Sequence, residues 1–375
     1  MIDEAVVNYY ELLQLDRSAA DADIKAAISK KRRLWIKRQA SADPGRRTEA
    51  ETIVRQLDAA ESALLDPANR RRYDQQLASQ RPQAPAAVDG SADWLDRARA
   101  YLDAGNATAA QRAAREATTQ RGNDHGAWAV RAHASFLLGQ AADAEFEFAE
   151  AIRLEPATVE YHQDLGEVYG MQEKWTQALR EFQAALRLSP GNPVARTSIA
   201  QVYLANERSR EALKLMESVV AEHPDNEVFR FYLAAALDGA ARESLTQLRD
   251  DSVLATSVAQ VALLTEHADR IAALRLKDPE VRESIADLRG LAANATEMMW
   301  VHSANLRMYI GTFVVLVGIA ICGLGSGQAD GVLMGLFLFV PAACLVAYAY
   351  TQRHRKPRYE HARRIFAGDV VRPGI

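Results

Sequence analysis

The chain has 375 residues, 49% of them hydrophobic, with 45 Lys and Arg against 49 Asp and Glu. That allows two or three domains with real cores, and a formal net charge of -4 excludes a polyelectrolyte partner for the molecule as a whole. Two cysteines, Cys322 and Cys344, both in very apolar surroundings, exclude a disulfide framework or a Cys-rich zinc site and read as small hydrophobes.

The opening MIDEAVVNYY has no basic stretch followed by an apolar one. It does not read as a signal peptide, so the first module, 1–78, is expected in the cytosol. Two blocks frame that module: NYYELLQL at 8–15 and LLDPANRRRYD at 64–74. Between them lie a basic helix with Ile24, Ala27 and Ile28, a loop containing Asp43-Pro44-Gly45, and a helix from about Thr48 to Leu65 carrying Val54, Leu57 and Leu64 on one side. These blocks resemble the start and end of a J-domain, the four-helix module that switches on Hsp70 ATPases.

The resemblance implies a His-Pro-Asp tripeptide between the second and third helices. Counted from Tyr9-Tyr10, its three positions fall on Ile36, Lys37 and Arg38. Two cations cannot repeat the contacts of a proline and a carboxylate, so the switch is expected to be dead. Lys31 stands where the family has a core apolar residue, and Trp35 fits the large aromatic before the tripeptide. Lys30, Arg32, Arg33, Lys37 and Arg38 are the candidate partner-binding residues of this basic helix. They suit a residual Hsp70 dock, an acidic protein or anionic headgroups, or simply a solvated face. No nucleic-acid reading motif accompanies them.

Residues 79–92, SQRPQAPAAVDGSA, read as a linker. Beyond it, Pro156, Pro190 and Pro224 recur every 34 residues, the period of tetratricopeptide repeats. Trp128, Gly139, Ala144, Phe148 and Ala151 precede the first proline; Leu165, Gly166, Tyr169, Ala178, Phe182 and Ala185 precede the second; Ile199, Ala200, Tyr203, Ala212, Met216 and Val219 precede the third. A weaker unit (Trp94, Ala98, Tyr101, Gly105, Ala110, Ala117) comes before them, and a half-repeat from Glu227 follows as a cap.

The pattern resembles a tetratricopeptide α-solenoid over 93–241, which implies a concave, protein-binding face. Its groove positions read Asp96 and Arg99, then Ala129, Val130 and His133, then Gln163, Asp164 and Glu167. The Lys/Asn carboxylate clamp of some family members is missing. With Glu160 added, the groove is acidic and calls for a basic or amphipathic protein segment, a solvated face being the alternative.

Residues 242–305 keep helical spacing but lose the repeat, and read as a helical extension or cap with a fresh helix start at Asp278-Pro279-Glu280. Residues 306–325 and 331–350 are apolar, each with a charge-free run of about the length that spans a bilayer core. They read as a transmembrane hairpin. The tail 351–375 carries Arg353, Arg355, Lys356, Arg358, Arg363 and Arg364, which puts both ends in the cytoplasm of what composition suggests is a bacterial plasma membrane.

No phosphate loop, His-Glu-x-x-His or G-x-S-x-G occurs. Glu145 and Glu147 are expected to face solvent, and His354 and His361 to lie on the surface. The expectation is an all-α, non-enzymatic chain with no cofactor and no metal. It is read as a membrane-anchored adaptor that presents a repeat groove and a J-like domain to the cytosol. The rival reading is an Hsp70 co-chaperone at the membrane, and the tripeptide separates the two.

Overall fold

The computed structural model describes residues 7–41, 44–79, 93–300, 306–324, 341–342, 344–351 and 354–374. It divides into two compact units, Met1–Ala236 and Leu237–Ile375.

The first unit opens with four helices: α1 (Tyr9–Leu13), α2 (Asp21–Arg38), α3 (Pro44–Leu64) and α4 (Pro67–Ser79). Asn8 caps α1 by accepting from the Glu11 amide at 3.3 Å. Tyr10, Leu13, Ile24, Ile28, Trp35, Ile53, Leu57, Leu64 and Tyr73 close the core. Two expectations change here. Pro44 is the first residue of α3 rather than part of a loop, as its fixed φ allows. Ile36, Lys37 and Arg38 form the last turn of α2 rather than an inter-helix loop, because no proline stands there to end the helix.

Eight helices then pair into four hairpins: α5 (Trp94–Asp103) with α6 (Ala107–Gln120), α7 (His125–Leu137) with α8 (Ala141–Leu154), α9 (Val159–Met171) with α10 (Trp175–Leu188), and α11 (Pro193–Ala205) with α12 (Ser209–Glu222). Helix α13 (Glu227–Glu243) follows. Pro156, Pro190 and Pro224 each stand just past a second helix, as the spacing predicts. Gly166 lets α9 touch α10: a Cβ there would stand 2.5 Å from the Phe182 ring.

The turn inside each hairpin needs a residue at positive φ. Gly105 and Gly139 supply it in the first two, and Glu173 and Glu207 in the last two. The difference has a cause. A Cβ at Gly105 would meet the Gln56 side chain at 2.7 Å, and one at Gly139 would meet Gln14 at 3.0 Å, so these turns also lie against the N-terminal helices. Glu147, expected in solvent, is buried; Arg131 pairs with it at 2.6 Å and the Ser135 hydroxyl donates to it at 2.6 Å. Burial pushes its carboxyl up.

The second unit is not helix alone, as the sequence suggests. Helices α14 (Val258–Ala273) and α15 (Pro279–Thr296) are flanked by strands β1 (Thr246–Leu248), β2 (Val253–Leu254) and β3 (Met298–Trp300). The predicted tail folds back on them. Strand β4 (Arg355–Pro357) pairs with β3, and β5 (Val370–Arg372) pairs with β1. Between these strands a short helix, Arg358–Ile365, packs on α15. His354, expected on the surface, is buried.

Helix α16 (Leu306–Leu324) covers the first predicted span. Among the described residues no helix is long and apolar enough to cross a membrane. The side chains of 306–307, 316 and 319–324 in α16, and residues 325–340 and 343, lie outside those described. So does the predicted linker from residue 80 onward.

Lys31 explains itself physically. Burial, and then Lys30 beside it, pulls its ammonium down to about 8. Below that value both folded and unfolded chains carry the proton, and the fold bears the whole cost of burying it. As pH rises from about 8 toward the ordinary lysine value, the folded chain sheds the proton first and the cost fades. Lys31→Met should therefore stabilise the chain by roughly 1–3 kcal/mol at pH 7, with the gain shrinking by pH 10, as read from urea midpoints at the two pH values.

Candidate functional site

The end of the basic helix and the central part of the acidic groove, read as two separate binding surfaces, meet each other. The end of α2 runs into the concave face of the repeats. Lys37 is fully buried. Its ammonium forms an ion pair with Glu167 and donates to Ser198 Oγ at 2.9 Å and to Gln201 Oε1 at 2.8 Å. A lysine has three protons to donate, and here each has an acceptor. Burial pulls the Lys37 ammonium down, against the opposing pull of Glu167.

Arg38 lies alongside. Its Nη2 stands 3.0 Å from Asp164 Oδ1, and its Nη1 is 3.4 Å from His133 Nε2. The guanidinium sits over the Trp35 ring at 4.7 Å and the Phe136 ring at 5.2 Å. Arg46, at the start of α3, takes the other Asp164 oxygen at 2.6 Å. One buried carboxylate thus bridges two guanidiniums, each with its own oxygen.

Burial would raise the Asp164 carboxyl, but Arg46 and then Arg38 outweigh it and hold the group below the usual carboxylate range. Burial lowers the His133 imidazole, more than Glu49 (3.4 Å from Nδ1) and Asp164 raise it.

The other candidates fall in three groups. Gln163 is buried and donates to Asn192 Oδ1 at 3.2 Å, while half-buried Glu160 adds negative potential at Arg46. Arg32 is turned to Asp58 (2.7 Å) and Glu61 (2.6 Å) on α3, and Arg33 lies over the Phe231 ring at 4.7 Å. Asp96 and Arg99 pair with each other at 3.4 Å on an exposed surface of α5, and Lys30 is exposed; none of these three joins the cluster.

Four members escaped the sequence reading. Arg46 and Glu49 were hidden by the expected loop at 43–45. Ser198 and Gln201 were legible, since they stand one 34-residue repeat on from Asp164 and Glu167. An apolar core runs beneath the polar contacts: Leu13, Trp35, Ala50 and Leu57 share one cluster with Ala132, Phe136, Phe148, Leu165 and Val168. Gln14 Nε2 donates to the Leu137 carbonyl at 3.0 Å. In the structure the groove residues Asp164 and Glu167 are engaged by this chain's own α2.

Residues 171–237 match the family model of the tetratricopeptide repeat, and the chain carries such repeats. Several solved structures are similar. The second repeat domain of human RPAP3, solved with an HSP70 peptide, is 23% identical over 29% of this chain and 92% of that one, with a TM-score of 0.29. MamA is 18% identical over 49% and 95%, with a TM-score of 0.37. A thermophilic repeat protein of Thermus thermophilus is 20% identical over 53% and 98%, with a TM-score of 0.35. No curated protein matches the chain.

Breaking one partner of a buried ionic set strands the others. Asp164→Asn leaves Arg38 and Arg46 without their counter-charge and is expected to cost roughly 3–5 kcal/mol. In the intact chain, hydrogen exchange of the amides at 33–41 should speed up markedly. Unchanged protection there would show that Asp164 does not hold the module.

Proposed function

We propose that the chain is a membrane-tethered protein-binding adaptor whose J-like module is built into the repeat array and does not drive an Hsp70. One observation carries this reading: Lys37 and Arg38, at the positions that the J-domain resemblance assigns to the tripeptide, are buried under repeat residues. Two further cations of the basic face are engaged as well. Arg32 is paired within the module and Arg33 is stacked on Phe231. A chaperone would find neither the tripeptide nor most of the cations that replace it. The rival co-chaperone reading needs both.

Protein binding is the general property of tetratricopeptide repeats, and the reading is non-catalytic. With the concave face occupied by α2, a partner binds elsewhere on the array or displaces the module. The tether is supported by α16, on which Met308, Ile310, Phe313, Val314 and Val315 are exposed. Water is a poor solvent for such a stripe and lipid a good one. The uncharged run at 331–350 is a second segment of similar length. The bacterial plasma membrane, with both ends cytoplasmic, remains the proposed location.

The test is an Hsp70 single-turnover ATPase assay with the purified full chain in lipid nanodiscs. The expected result is no stimulation above the Hsp70 alone. A tenfold acceleration would sink the adaptor reading in favour of the co-chaperone.

A further inference from the structure

The second unit brings the two flanks of the apolar stretch together. Strands β3 and β4 are antiparallel, with Met298 opposite Pro357, Met299 opposite Lys356 and Trp300 opposite Arg355. The Arg358 amide donates to the Glu297 carbonyl at 2.9 Å. Trp300 and Arg355, which flank the apolar stretch in sequence, therefore lie on neighbouring strands about 5 Å apart. Both apolar segments lie between them in sequence. A segment that departs and returns on adjacent strands crosses a bilayer an even number of times, whatever its flanking charges.

A ring cluster fastens the two arms at their root. Tyr309, in the first turn of α16, lies 5.2 Å from Tyr350 and 5.3 Å from His354. Tyr350 stands 4.6 Å from His354 and 5.9 Å from Trp300. Strand β3 alternates in exposure. Met298 (46% exposed) and Trp300 (55%) stand two residues apart on one face of β3, and exposed Arg355 faces Trp300 across the pair. Arg363, Arg364 and Ile365 are exposed on the helix that follows. Tryptophan and tyrosine favour the membrane–water interface, and cations favour its phosphates.

We infer that residues 237–300 and 354–374 form one membrane-surface domain, with the β3–β4 pair lying in the phospholipid headgroup layer as a clamp around the root of the anchor. Trp300 sits at headgroup depth, Arg355 meets lipid phosphate, and the residues before 300 and after 355 share one side of the bilayer. This deepens the tethered reading and rests on it.

The experiment uses the full chain with Cys322→Ala and Cys344→Ala, in vesicles containing anionic phospholipid. Met299→Cys with Lys356→Cys tests the clamp, because directly opposed residues bring their Cβ atoms within disulfide reach. Oxidation of the intact membranes should link the two cysteines, read by mass spectrometry of the joined peptides. In a separate chain, Trp300→Cys carries an environment-sensitive fluorophore, which lipids spin-labelled at the headgroup should quench several-fold. Unlinked cysteines in membrane-embedded protein would overturn the inference, as would a fluorophore that stays in water. Release of the parent chain from vesicles by alkaline carbonate would instead overturn the tethered reading, and the inference with it.

Discussion

Asp164 and Glu167 hold the first unit together at one place. Around them Lys37, Arg38 and Arg46 are taken out of water and neutralised. Removing several charges from water costs more than their attraction returns unless every hydrogen-bonding position is filled. Here they are filled around Lys37, whose ammonium has three acceptors, while Arg38 Nη2 and Asp164 Oδ2 are buried in ion-pair contact without a well-aligned hydrogen bond. The arrangement contributes specificity more than stability. The shared apolar core of Trp35, Phe136, Phe148 and Leu165 supplies the burial energy, and the ionic set fixes which turn of α2 sits over which repeat.

Lys37 faces inward, as an internal bolt between α2 and the repeats. The same reasoning accounts for the two glycine turns. Gly105 and Gly139 lie where Gln56 and Gln14 approach, while the equivalent turns at Glu173 and Glu207 keep the left-handed backbone but tolerate a side chain.

Much of this was legible in the sequence. The 34-residue period fixed the hairpins, their proline stops and the close contact at Gly166, because repetition leaves the same mark at every turn. The acidity of the groove and the basicity of α2 were also visible, and so was the kind of segment that the groove demands. Their union was not, since nothing local says that two surfaces more than a hundred residues apart in sequence belong together. The end of α2 was misplaced because the resemblance to a J-domain implies a proline-bearing loop there. The strands at 246–254, 298–300, 355–357 and 370–372 are two or three residues long. Strands that short carry no readable alternation, and their pairing spans the apolar excursion.

The central claim is that Lys37 is shut inside the groove, and an amine-reactive reagent tests it directly. The intact chain is labelled briefly under native conditions and each lysine is read by mass spectrometry. Lys25 and Lys30 on the same helix are exposed and serve as internal controls. The account predicts that both are labelled while Lys37 is protected at least tenfold, and that Glu167→Gln with Asp164→Asn erases the protection. Labelling of Lys37 at the rate of Lys30 in the unaltered chain would contradict it, and would return the end of α2 to solvent as an open docking surface.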